Sequence, residues 1–172
     1  MLKNVSGLNI FMVNFWIVVL WHVAFFLACI KLPESRFDFQ RSRFMPRDWE
    51  KGGRWYRDKL RIQEWKDKVP QFVSKDGFSK EHFTDMSLEY LDEFIMETCR
   101  AEWTHMNNCI SVVVLLIVNP ISVGLVVSFM VLLGNVPFAI IQRYNRFRLL
   151  VLRKKLLRDL RSAEMKAGTV TV

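Results

Sequence analysis

The sequence predicts an all-α integral membrane protein with about three transmembrane helices, one N-terminal span plus a helical hairpin, accompanied by amphipathic interfacial helices. Three observations carry this. Half of the 172 residues are apolar (51%) while 24% are charged, and the two classes occupy different stretches of the chain. Two long runs are almost free of ionisable groups. Lysine and arginine collect in the segments between and after those runs.

The first run, GLNIFMVNFWIVVLWHVAFFLACI over residues 7–30, carries only His22 as an ionisable side chain other than its cysteine. At ~1.5 Å per residue it is long enough for a hydrocarbon core about 30 Å thick. A cleaved signal peptide is the competing reading. It fits less well, because the run is long, holds Trp16 and Trp21, and ends in Leu32-Pro33-Glu34 with no small-residue cleavage site.

Residues 31–86 are expected to form a cytoplasmic and interfacial segment. Within RSRFMPRDWEKGGRWYRDKLRIQEWKDKVP, Trp49, Trp55, Tyr56 and Trp65 alternate with ten basic residues, the mixture a headgroup layer selects; Gly52-Gly53 should split this helix in two. Residues 71–86 read as a loop. From Ser87, a plausible N-cap, a long helix is expected over 87–118, entering the membrane as it proceeds. Asn119-Pro120 interrupts the second apolar run, since proline cannot donate a backbone hydrogen bond and its predecessor avoids helical geometry. A returning span is therefore expected over 120–142, followed by a basic amphipathic tail over 143–172, in which Phe147, Leu150, Leu157 and Leu160 repeat near helical spacing.

The charge distribution sets an orientation. Lys3 alone precedes the first run, 15 basic residues lie within 31–104, and nine lie from 143 onward. The central segment and the tail should be cytoplasmic and the amino terminus outside, which is also what three spans require. The tail suits an anionic lipid surface; nucleic acid is not expected as a partner, because the basic stripe abuts a membrane helix. The expected location is the cell membrane, as a multi-pass protein, and the oligomeric state is left open.

Chemistry concentrates in ETCRAEWTH, residues 97–105, at the threshold of the second apolar run. Stepping about 100° per residue, His105 falls between the carboxylates of Glu97 and Glu102. Either could accept a hydrogen bond from one ring nitrogen and leave the other as a base. A turn centred on Asn119-Pro120 brings His105 level with Gly134 and Asn135, and Glu97 level with Gln142; Gly134 is expected to let the backbones approach. Plain interfacial ion pairing is the competing reading, and ionisable residues entering a membrane segment are functional candidates by default. Glu102-x-x-His105 has the spacing of di-iron helical bundles, but the second such pair is missing, so no metal is expected. Cys29, Cys99 and Cys109 show neither metal spacing nor a disulfide pattern.

The strings RIQEWKDKVP (61–70), ETCRAEWTH (97–105) and NVPFAIIQRYNRFRL (135–149), in this order, resemble the bacterial glycosyl-4,4'-diaponeurosporenoate acyltransferase family. Two positions depart from the pattern: Phe147 stands where a proline is expected, and Met106 where an aromatic residue is common. The resemblance implies that residues 1–172 form a single acyltransferase domain that esterifies a sugar hydroxyl of a glycosylated C30 carotenoid acid. It implies no cofactor, and a fatty acyl donor such as acyl-CoA as co-substrate.

On that basis His105 is the expected base, with Glu102 or Glu97 orienting it. Asn135, with Arg143 or Asn145, supplies oxyanion or substrate donors; Arg146 and Arg148 meet donor phosphates; Arg100 and Gln142 complete the substrate-binding set; and Trp65, Lys66 and Asp67 form a wall for the sugar. Cys109, one turn beyond His105, leaves an acyl-cysteine intermediate open, ranked below direct transfer. Two other readings stay open: a non-catalytic membrane subunit that anchors or presents carotenoid or glycolipid intermediates, and an acyltransferase acting on another glycolipid.

Overall fold

A computed structural model describes residues 6–69 and 87–169, with side chains to residue 166. The expected loop over 71–86 lies outside the described residues. Those residues form α1 (Gly7–Lys31), α2 (Arg54–Leu60), α3 (Ile62–Trp65), α4 (Leu88–Cys109), α5 (Ser111–Val118) and α6 (Ile121–Thr169), with short 3-10 turns and, among the described residues, no strand. Among the described residues, three stretches are long and apolar enough to cross a membrane: Gly7–Lys31, Leu88–Val118 and Ile121–Lys166. The fold is thus all-α with three membrane-length helices. The chain divides into two compact units, Met1–Phe37 with Cys99–Arg143, and Asp38–Thr98 with Tyr144–Val172.

In the first unit the usual arrangement of a water-soluble protein is inverted. The helix α1 buries only Asn14 and Cys29, while Leu8, Phe11, Leu20, Phe26 and Ile30 face outward. Side chains buried within the unit include Asn108, Ser111, Asn119, Ser128 and Asn135. An apolar rim around polar contacts suits hydrocarbon as the solvent, where helices gain nothing from hiding leucine and more from bonding amides. Ser6 caps α1 through its hydroxyl, and Leu32, held extended by the following Pro33, ends it.

The tight turn between α5 and α6 follows from Asn119-Pro120. Asn119 is extended (φ −99°, ψ 161°) and fully buried, as the residue before a proline must be extended. Its amide exchanges two hydrogen bonds with that of Asn14, at 2.7 and 2.8 Å, and donates also to the Leu115 carbonyl at 2.8 Å. This pairing ties α1 to the hairpin tip. Gly124 is where the two arms of the hairpin approach: a Cβ there would lie 3.2 Å from the Leu115 carbonyl oxygen and 3.3 Å from Leu116 Cα. The expectation for Gly134 is corrected, since nothing lies within 4 Å of a Cβ built on it.

The helix expected over 87–118 is present with one bend. Ser87 caps it, accepting from the Tyr90 amide at 3.1 Å. At Ile110 the ladder tightens to i→i+3 bonds, Ile110 to Asn107 and Val113 to Ile110, and the Ser111 hydroxyl bonds the Asn108 carbonyl. The returning span and the basic tail are one helix. No break separates residues 142 and 143, so α6 runs for 49 residues, carrying Pro137 inside it.

The second unit packs Leu91, Ile95 and Leu149 into a core covered by Phe39, Phe94, Leu150, Leu152 and Leu156, and an Arg153–Asp92 ion pair closes its edge. The interfacial helix expected over 41–70 is replaced by short pieces. Lys51, Gly52 and Gly53 all take positive φ (49°, 65° and 88°), as does Arg61 (48°), and each such residue stops a right-handed helix. Tyr56 is buried against Trp49, Trp55, Tyr144 and Phe147, and its hydroxyl donates to Glu50 at 2.5 Å. Phe147 lies against Gly53, where a Cβ would come within 3.1 Å of its own Cβ.

Candidate functional site

The first unit gathers the polar residues of three helices around Asn135. Its position on α6 follows from the hairpin, and α1 comes alongside through Asn14 and through Trp21, whose indole donates to the Asn107 carbonyl at 3.0 Å. Asn135 then uses its whole hydrogen-bonding capacity. Its Nδ2 donates to the Val131 carbonyl at 2.9 Å and to His22 Nε2 at 3.2 Å. Its Oδ1 accepts from His105 Nδ1 at 3.1 Å and from Asn108 Nδ2 at 3.2 Å.

The Val131 carbonyl fixes the direction of this set, because a carbonyl can only accept. Nδ2 must therefore be the end of the Asn135 amide that faces it, and Oδ1 the end that faces His105. His105 must carry its proton on Nδ1. Nε2 is left with its lone pair, the form required of a general base. The ring of Phe138 stacks on the imidazole at 5.3 Å between centroids, 17° from parallel, and holds its plane.

The carboxylates sit elsewhere. Glu102 Oε1 lies 3.4 Å from Arg143 Nη1, with both side chains largely buried. His105 Nδ1 donates to an amide oxygen where a carboxylate was expected, because Glu102 turns to the guanidinium reaching down from α6. Glu97 is exposed and belongs to the second unit. Asn135 likewise departs from expectation: both its N–H groups are committed, so it has none to offer an oxyanion. Arg143 remains as the buried cation of this unit, and Arg100, half-buried, lies over the Phe37 ring at 5.1 Å. Gln142 is half-buried on α6. Cys109 is half-buried at the end of α4, with no hydrogen bond to His105 among the described residues.

The other expected residues belong to the second unit. Arg146 is 2% exposed, with its guanidinium 5.3 Å above Phe44, whereas Arg148 is exposed and Asn145 half-buried. Trp65 donates to the Leu60 carbonyl at 2.9 Å, and Lys66 pairs with Asp67. The sequence reading overlooked His22, Asn108 and Phe138. A signal for two of them was present: His22 and Asn108 are polar groups at the heart or the edge of apolar runs, where each must find a partner inside the protein.

A family model described as glycosyl-4,4'-diaponeurosporenoate acyltransferase matches residues 40–155. Curated proteins of that name from Staphylococcus aureus strains MRSA252, bovine RF122 / ET3-1 and USA300 are each 28% identical over 139 residues, covering 78% of this chain and 81% of theirs. No solved structure matches. With two-thirds of its length matched by the family model and three helices fit to cross a membrane, the chain belongs to the glycosyl-4,4'-diaponeurosporenoate acyltransferase family and is an acyltransferase.

Proposed function

We propose that the protein transfers a fatty acyl group to a sugar hydroxyl of a glycosylated C30 carotenoid acid, with His105 as general base. The observation that carries this reading is the hydrogen bond from His105 Nδ1 to Asn135, which leaves Nε2 as the proton acceptor. Nε2 takes the hydroxyl proton as the sugar oxygen attacks the acyl carbonyl. With a thioester donor such as acyl-CoA, the C–S bond then breaks, and the thiolate leaves with the proton returned by the imidazolium. Arg143, held by Glu102, supplies positive charge for the oxyanion that forms on the carbonyl, with Arg100 as a second cation in the same unit.

The orientation belongs to the same proposal. The amino terminus faces outward, and the central segment and the carboxyl terminus are cytoplasmic. There the exposed Lys154, Lys155, Arg158 and Arg161 meet anionic lipid.

The test is product formation from glycosylated carotenoid acid and acyl-CoA by the inserted protein, read by lipid mass analysis. His105→Ala is expected to lower turnover by about 10²–10⁴ with insertion retained. Normal ester formation by that variant would instead make the protein a non-catalytic presenter of the intermediate. Turnover on a different glycolipid alone would relocate the substrate.

A further inference from the structure

We propose that His22 is a positioning residue for the acyl-transfer base: through Asn135 it holds the proton on Nδ1 of His105. This rests on His105 acting as the base. Nothing in the sequence motifs around residues 97–105 or 135–149 includes His22, which lies on another helix.

The inference comes from following donors and acceptors along the connected atoms. His22 Nδ1 lies 2.8 Å from the Val18 carbonyl. A carbonyl has no proton to give, so this nitrogen carries one, and the neutral ring must present Nε2 as an acceptor. Nε2 faces Asn135 Nδ2 at 3.2 Å and accepts from it. The second proton of that amide goes to the Val131 carbonyl. Asn135 therefore turns Oδ1, and only Oδ1, toward His105. Two main-chain carbonyls terminate the chain of bonds at its far ends, and every proton between them has one allowed place. In water the histidine side chain favours the proton on Nε2, the tautomer in which Nε2 cannot serve as base, so the preference must be imposed by the protein. Removing the acceptor at His22 leaves one Asn135 N–H without its partner and the Val131 carbonyl as the one acceptor still holding that end of the amide, so Oδ1 is held toward His105 less firmly.

The geometry also says which substitution should rescue. The Oε1 of a glutamine reaches about as far from Cα as histidine Nε2 does and is an acceptor, whereas an asparagine amide ends near the Nδ1 position, short of Asn135. Full-length His22→Gln, His22→Asn and His22→Leu proteins would be compared in lipid nanodiscs, with insertion verified for each. The expected result is turnover within about threefold of wild type for His22→Gln, and a roughly tenfold or greater loss of kcat with little change in KM for His22→Asn and His22→Leu. In parallel, nitrogen-15 spectra of the His105 ring should show a protonated Nδ1 in wild type and His22→Gln, and mixed tautomers in the other two. A His22→Leu protein with wild-type kcat and an unchanged His105 spectrum would overturn the proposal, as would a His22→Gln protein as impaired as His22→Leu. Failure of the base assignment itself looks different. There His105→Ala keeps its turnover, while the spectral response of His105 to substitution at His22 still reports whether the proton is positioned from α1.

Discussion

Replacing Asn135 by leucine keeps the side chain's branched shape, at a larger volume, and removes all four of its hydrogen bonds. The Val131 carbonyl loses least, since α6 is helical there and supplies its ordinary main-chain bond. His105 Nδ1, Asn108 Nδ2 and His22 Nε2 are stranded. Interhelical polar contacts in membrane proteins contribute about 0.6–1.7 kcal/mol each, less than the buried-group penalty in water-soluble proteins, because the unfolded chain in lipid also finds partners. Three such groups give a destabilisation of about 2–5 kcal/mol. The proposed base, His105, remains in Asn135→Leu but its proton is no longer placed, so on that proposal turnover should fall by about 100-fold, within the range expected for losing the base altogether. The measurements are denaturant unfolding in mixed micelles and initial rates of ester formation in the same preparation. An inserted Asn135→Leu protein with a rate within threefold of wild type would refute the claim that this amide sets the tautomer of His105.

Other substitutions probe separate parts of the reasoning. Gly124→Leu should destabilise the hairpin by about 1–3 kcal/mol, since its side chain must displace the α5 backbone, whereas Gly134→Ala should be neutral or stabilise by up to about 1 kcal/mol through helix propensity; paired unfolding curves compare them. Glu102→Gln should slow turnover by roughly tenfold by loosening Arg143, whereas a loss approaching 10⁴, as when an orienting carboxylate is removed from a catalytic triad, would restore Glu102 as the partner of His105. A reporter fused after Val172 should read as cytoplasmic, and external accessibility would reverse the assigned orientation.

The parts of this fold that were readable in advance depend on local chemistry or on simple geometry. Ser87 caps its helix because serine offers an acceptor to free amides, and Asn119-Pro120 turns the chain because the residue before proline avoids the helix. Folding the chain at that turn was enough to place His105 opposite Asn135. The failures share a cause: they required the packing of one element on another. Nothing local to His22 says that α1 lies beside α6 at residue 135. Which glycine admits a close approach depends on where the hairpin arms converge, and that is at Gly124 rather than Gly134. On one helix wheel Glu97 and Glu102 flank His105, and nothing local shows that Arg143 reaches Glu102 from the opposite helix. The segment over 41–70 read as an interfacial helix from composition, but Lys51 and Arg61 are left-handed, and composition does not report backbone handedness.

His22 stands about 13 Å of helical rise from Lys31, the charged end of α1. Under the proposed chemistry, a thioester brought to His105 at that depth would meet few competing nucleophiles, because hydrocarbon around the spans would exclude the water that cleaves it. On that proposal, loss of acyl groups to hydrolysis should be slow whenever the acceptor is absent, and a sugar acceptor carried inward on a greasy anchor should be favoured. Free monosaccharides, however concentrated, would be poor competitors for the acyl group.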